Sequence, residues 1–356
     1  MVTISDVAKK AGVSIGTVSN VTNKRGNVKK STEEAILKAI EELGYIPNSM
    51  AQGLKTKQSN IIGVMVEDIN TFFSPVIIDG ICEYAEQHNY TINLCNLRID
   101  RKINSVSSDE LEKLVYSELF QDSIQKSINM LLTSRICGLI YVGEYPHDMT
   151  GVMPKLDIPI VYTYAYTNDH DAYTVNYNDF QGAFEAVDYI ISCGHERIGV
   201  ISGSINTVPT YQRLQGYQKA LMDHGISYRP EYICTTNWNY EDAYEKCNQL
   251  LNMKEPPTTI FVMSDLMSYA VINALKDRGI NVPEQISVHG FDDIEFSRYS
   301  SPKLSTVKLP LHEMGSKSCE IITELAEHRI VEKQHVLLEC SHVKRDSIYK
   351  INRKDE

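Results

Sequence analysis

Thr3-Ile4-Ser5-Asp6-Val7-Ala8-Lys9-Lys10-Ala11-Gly12-Val13-Ser14-Ile15-Gly16-Thr17-Val18-Ser19-Asn20 is the stretch on which the reading of the chain turns. Thr3 is a helix-capping residue with Asp6 three positions on, and Val7, Ala8 and Ala11 follow at helical spacing. Gly12 ends this helix. Ser14 can cap a second helix, running from Ile15 to Thr22. Two helices joined by a short glycine-containing turn describe a helix-turn-helix. A third helix is expected from the cap signal Ser31 with Glu34. It carries Ala35, Ile36, Ala39, Ile40 and Leu43 on one face and stops at Gly44. Three such faces can close a small core, and periodicity alone would also fit a generic helical bundle.

Charge is distributed unevenly. Residues 1–58 hold nine Lys or Arg against five Asp or Glu, a balance of +4, and the whole chain stands at −11, which leaves −15 beyond the head. A basic head on an acidic body fits a nucleic-acid module joined to a domain kept off DNA. At 356 residues the chain is long enough for two or three domains. It has no run of eighteen apolar residues and no leader of secretory type at its start, so a cytoplasmic protein is expected. The eight cysteines are scattered, with no C-x-x-C pair, and read as buried reduced thiols.

The order of residues in the head closely resembles the lactose/galactose repressor family of transcriptional regulators. Thr3 to Ala8, Ala11 to Ser14, Thr17-Val18-Ser19 and Asn23 carry the likeness. So do Leu43-Gly44-Tyr45-Ile46-Pro47-Asn48, Ala51 and Leu54. The resemblance implies that Ile15, Gly16 and Asn20 face base edges in the major groove. It places Thr3, Ser14, Thr17, Ser19 and Asn23 near phosphates. Two positions depart from the common pattern. Gly16 has no side chain to read a base. Asn20 stands where many relatives carry Arg, so adenine rather than guanine is the expected partner. Pro47 blocks continuation of the third helix. Asn48 can cap a short hinge helix containing Ala51 and Leu54, and the resemblance puts Leu54 in the minor groove as a wedge.

Beyond Asn60, strands alternate with helices: 61–66, 92–94, 136–142, 159–164, 197–202, 259–263 and 286–290 read as strands. That alternation argues parallel sheets flanked by helices. Gly194-His195-Glu196-Arg197-Ile198, Arg213-Leu214-Gln215-Gly216-Tyr217, Val282-Pro283-Glu284, Gly290-Phe291-Asp292-Asp293 and Leu304-Ser305-Thr306-Val307 extend the resemblance to the regulatory domain of the same family. The implied fold is α/β: an N-terminal three-helix helix-turn-helix domain over 1–46, a hinge helix and linker over 47–59, and a two-lobed periplasmic-binding-protein-like domain with two parallel sheets over 60–356. Between Leu97 and about Gln125 the chain is longer than the usual family segment. From there on Leu111, Leu114, Val115, Leu119, Ile124, Ile128 and Leu131 have helical spacing, so a polar loop followed by a longer helix is expected.

Sugar sites combine an aromatic platform with a few charged or amide groups. The resemblance carries the effector-binding positions onto Phe72, Phe73, Tyr164, Arg213, Trp238, Ser264 and Asp292. Ser264 replaces a common Asn, and Tyr164 a common charged residue, which points to a more aromatic pocket. The chain lacks G-x-x-x-x-G-K-[ST], H-E-x-x-H and G-x-S-x-G, so no enzyme, cofactor or metal site is expected. The implied function is sequence-specific DNA binding controlled by a small ligand, a sugar or sugar derivative, with a protein corepressor as the alternative. A homodimer on palindromic operator DNA follows, because two heads must span two half-sites. The tail after Ser341 shows no leucine heptads, so no coiled-coil tetramer is expected.

Overall fold

The computed structural model describes residues 2–22, 28–45, 59–99 and 117–351. They fall into two compact units that divide between Ser59 and Asn60.

The head is three helices: α1 (Ile4–Ala11), α2 (Ile15–Thr22) and α3 (Lys30–Leu43). Thr3 and Asp6 form a reciprocal capping box at the start of α1, and Gly12 ends it in the left-handed conformation. Ser14 caps α2 through its Oγ, which accepts the Thr17 N–H at 3.1 Å. The third helix begins earlier than expected. The Lys29 carbonyl accepts from Thr32 and Glu33 at 2.8 and 3.0 Å, so Ser31 lies inside the first turn and does not cap it. Val7, Ala8, Val18, Ile36 and Ala39 form the buried centre, one contribution or more from each helix.

The body has two lobes. In the first, the strands β1 (Ile61–Val66), β2 (Thr91–Asn96), β3 (Gly138–Val142), β4 (Ile160–Thr163), β5 (Tyr173–Tyr177) and β11 (His335–Leu338) form one parallel sheet. Its order is β11-β5-β4-β3-β1-β2. Helix α4 (Ser74–Gln87) follows β1, and α5 (Glu118–Thr133) precedes β3. In α5, Ile124, Ile128 and Leu131 are buried, as the helical spacing predicts, but Leu119 is exposed and Phe120 takes the buried place beside them; Leu111, Leu114 and Val115 lie outside the described residues.

The second lobe is a parallel sheet of order β7-β6-β8-β9, built from β6 (Ile198–Ser202), β7 (Ile233–Thr235), β8 (Thr259–Val262) and β9 (Ser287–His289). Helices α6 (Asp179–Ser192), α7 (Val208–Asp223), α8 (Tyr240–Leu251) and α9 (Asp265–Asp277) flank it. An antiparallel pair, β10 (Thr306–Lys308) and β12 (Ser341–Val343), lies beside α6. The chain passes between lobes after β5, after β10 and after β11, and α10 (Leu311–Ala326) returns to pack on α4.

That helix pair depends on two glycines. A Cβ on Gly80 would stand 2.0 Å from the His312 carbonyl oxygen, and one on Gly315 would stand 2.0 Å from that of Ile77. Each helix thus presses its backbone into the gap left by the other's missing side chain. Strands β5, β7, β10, β11 and β12 are additions to the pattern read from sequence. The expectation of buried thiols is corrected at Cys82, which is exposed, and at Cys95, Cys137 and Cys234, which are half-buried; all eight are unpaired. Among the described residues no helix is long and apolar enough to cross a membrane.

Candidate functional site

On the head, Ser14, Ile15, Gly16 and Asn20 form an exposed strip along α2, with Thr17 and Ser19 half-buried beside it. Ile15 is 48% exposed, a large apolar side chain left to solvent at the start of a helix whose other face builds the core. A Cβ on Gly16 would meet nothing closer than the Ser14 Oγ at 3.6 Å, so among the described residues of the head nothing requires glycine there. Thr3 is exposed, but its hydroxyl is engaged by Asp6 at 2.7 Å. Asn23, Asn48, Ala51 and Leu54 lie outside the described residues.

In the body, a cavity of about 390 Å³ lies between the lobes, and Phe72, Phe73, Tyr164, Arg213, Trp238, Ser264 and Asp292 all line it. The arrangement has one physical origin. In parallel α/β sheets ligand sites form beyond the carboxyl ends of the strands. Phe72 and Phe73 follow β1, Tyr164 follows β4, Trp238 follows β7, Ser264 follows β8 and Asp292 follows β9. Sequence reading missed Glu144, Tyr145 and Pro146 after β3, Tyr177 closing β5, and Thr207, Pro209, Asn237, Leu266 and Ile294. The end of β3, a strand the sequence does show, was the signal that could have found the first three.

Arg213 is the polar centre. It is buried on α7, and its Nε donates to Asp179 Oδ1 at 2.6 Å, its Nη2 to the Tyr177 hydroxyl at 3.0 Å and its Nη1 to the Met263 carbonyl. The guanidinium also lies over the Phe291 ring at 3.7 Å from the centroid. Asp292 Oδ1 stands 3.9 Å from Nη1, an ion-pair distance too long for a hydrogen bond. Burial lowers the Arg213 pKa, but Asp179, Tyr177 and Asp292 more than offset it and the net direction is up. Burial pushes the Asp292 carboxyl well above the usual range, and the pull of Arg213 does not cancel that.

Three of the residues that line the cavity have left-handed backbones despite carrying side chains: Tyr164 at φ 56°, Trp238 at φ 61° and Asp292 at φ 117°. Such conformations cost of order 1–3 kcal/mol each and persist where surrounding structure imposes them. Trp238 is seated on Gly203, where a Cβ would fall 1.8 Å from the indole. Phe73, Tyr164 and Tyr177 make a continuous aromatic wall, with centroid separations of 5.6 and 5.8 Å. Ser264 caps α9, its Oγ accepting from Met267 N, which leaves its O–H to donate.

Two buried carboxylates hold the loops in place. Asp265 accepts from Ile294 N at 3.1 Å, Ser297 Oγ at 2.5 Å and Thr306 Oγ1 at 2.6 Å, tying the Asp292 loop to α9. Burial pushes its pKa up to about 7. Glu67 accepts from the Tyr141 hydroxyl and, at 2.7 Å, from Glu144 N, with His147 Nε2 at 3.0 Å. This cluster fixes the loop that carries Tyr145 and Pro146. Among the described residues no group of three or more His, Cys, Asp or Glu could hold a metal ion.

Comparison with known proteins places this geometry. The profile of bacterial regulatory proteins of the lacI family matches residues 3–48, and that of the periplasmic binding protein-like domain matches residues 187–348. Catabolite control protein A of Priestia megaterium is 32% identical over 341 residues, 95% of this chain and 96% of the relative. The chain belongs to the lacI family.

Other members agree in extent. An HTH-type transcriptional repressor PurR of Haemophilus influenzae (strain PittEE) is 32% identical over 331 residues, covering 92% of both chains. The crystal structure of the Lac repressor dimer bound to operator and the anti-inducer ONPF superposes with a TM-score of 0.77 at 28% identity. That match covers 98% of this chain and 99% of the other. The transcriptional regulator CelR–cellobiose complex shares the fold, with a TM-score of 0.63 at 24% identity, covering 98% of this chain and 100% of that one. As a lacI-family member the protein is a DNA-binding transcriptional regulator under small-molecule control, and not an enzyme.

Proposed function

We propose that the protein is a repressor that binds palindromic operator DNA as a homodimer, and that a sugar held between the lobes sets its affinity. The head over 1–46 reads DNA, the segment 47–59 is the hinge, and 60–356 binds the effector and dimerises. Ile15 and Asn20 contact bases, Ile15 on a thymine methyl and Asn20 on adenine. Thr3, Ser14, Thr17, Ser19 and Asn23 position the phosphates. Asn48 caps the hinge helix, in which Ala51 and Leu54 face the minor groove.

The cleft carries the effector half of the proposal. A tryptophan platform, an aromatic wall and an arginine–aspartate pair meet at strand ends around one cavity. Hydroxyl groups suit such a site because the 3.9 Å gap between Arg213 and Asp292 can be bridged by a group that both accepts and donates. A cavity of this enclosure and size also favours a small molecule over a protein corepressor. The thermal unfolding midpoint, measured across sugars, purines and amino acids, tests it. Stabilisation by a sugar is expected, and stabilisation only by purines or amino acids would contradict it.

A further inference from the structure

Given that the cleft is a sugar site, we propose that its effector is an uncharged glycoside of two rings, rather than a monosaccharide or a sugar phosphate. Charge is the first ground. Among the described residues that line the cavity, Arg213 is the one cation. Its inner edge is already spent on protein acceptors, with Asp179 at 2.6 Å as its buried ion-pair partner. Asp292 and Glu144 line the same cavity and add acidic groups, not basic ones. A phosphate or carboxylate on the ligand would therefore lose its hydration without gaining an unpaired cation. Neutral hydroxyls meet no such cost, since the Asp292 carboxyl and the Ser264 hydroxyl offer an acceptor and a donor.

Length is the second ground. A hexose at roughly 15–20 Å³ per close-packed non-hydrogen atom fills about half of the main cavity, whose volume is about 390 Å³. A second, more open cavity of about 510 Å³ adjoins it and shares Phe72, Phe73 and Glu144. Aromatic surface thus extends from one cavity into the other. Trp238 offers one face deep between the lobes, and Phe72, 55% exposed, offers another at the junction of the cavities. Two linked rings give each of these aromatic faces a ring of its own.

Calorimetric titration of the full chain tests this with maltose, cellobiose, lactose, sucrose and trehalose, their constituent monosaccharides, and glucose 6-phosphate and trehalose 6-phosphate. At least one neutral disaccharide is expected to bind about tenfold or more tighter than its monosaccharides and than either phosphate. The Phe72→Ala chain, truncated at an exposed side chain, is expected to narrow the gap between that disaccharide and its monosaccharides. Tightest binding by a monosaccharide or a sugar phosphate would overturn the inference and leave the sugar reading standing. Binding by no sugar at all would overturn both.

Discussion

Trp238 holds a left-handed backbone and rests its indole where Gly203 has no side chain, so two residues distant in sequence define one platform. Gly203→Ala should displace the indole and weaken the effector by at least about tenfold, roughly 1.4 kcal/mol, with the far-UV circular dichroism unchanged. Titration of the variant checks this, and affinity within twofold of wild type would remove the platform role. Residue-scale electrostatics makes a second prediction. Burial pushes the pKa of His289 down to about 3 and that of His342 to about 4, and the two rings face each other with their Nε2 atoms 2.9 Å apart. Between these values and the usual value of 6.5 the unfolded chain binds protons that the folded chain refuses. Both histidines therefore stabilise the fold fully above pH 6.5 and lose that contribution as pH falls below it. Asp265, with its raised pKa, acts in the opposite sense over the same window. The decisive quantity is thus a difference: from pH 7 to pH 5, His342→Gln should lose less stability in urea unfolding than wild type. An equal or larger loss in the variant would contradict the neutral buried pair.

At the scale of elements, the crossing of α4 and α10 is set by Gly80 and Gly315. Gly80→Ala forces backbone apart from backbone and should cost on the order of 1–3 kcal/mol, read as a lower urea midpoint. An unchanged midpoint would mean that the helices can slide apart freely. The segment 47–59 lies outside the described residues apart from Ser59, yet the proposal makes a clear demand of it. Leu54→Ala should weaken operator binding several-fold at matched salt while the circular dichroism stays the same, and wild-type affinity would exclude a wedge there. The elements also mark how much was legible. Helices α1 and α2 were readable to the residue because Thr3, Gly12 and Ser14 are local signals. The start of α3 was not, since a backbone carbonyl at Lys29 took over what Ser31 promised. Strands β1, β3, β6 and β8 announced themselves as apolar runs. Strand β11, with His335 and Leu337 exposed, and the three-residue β7, β10 and β12 carry too little pattern to be seen without their partners.

For the whole molecule, the cleft was legible only in part. The family resemblance brought seven residues to one cavity, but Tyr145 and Tyr177 come from strand ends whose neighbours exist only in three dimensions. The buried Glu67, His147 and Tyr141 cluster that holds Tyr145 has no sequence signature, because its members come from β3 and two loops. Three passages of chain join the lobes, so a ligand touching both can bias their arrangement, and under the proposed control operator and ligand change each other's affinity by the same factor. The phosphate contacts expected of the head predict steep salt dependence, with few direct base contacts from Ile15, Gly16 and Asn20 to oppose it. Ligand-controlled operator binding is tested most directly by selection of bound DNA from a random pool by the full chain, with and without the neutral disaccharides. A palindrome with two half-sites should be enriched, and that enrichment should change with at least one disaccharide. Enrichment of no sequence, or of a sequence indifferent to every sugar, would contradict it.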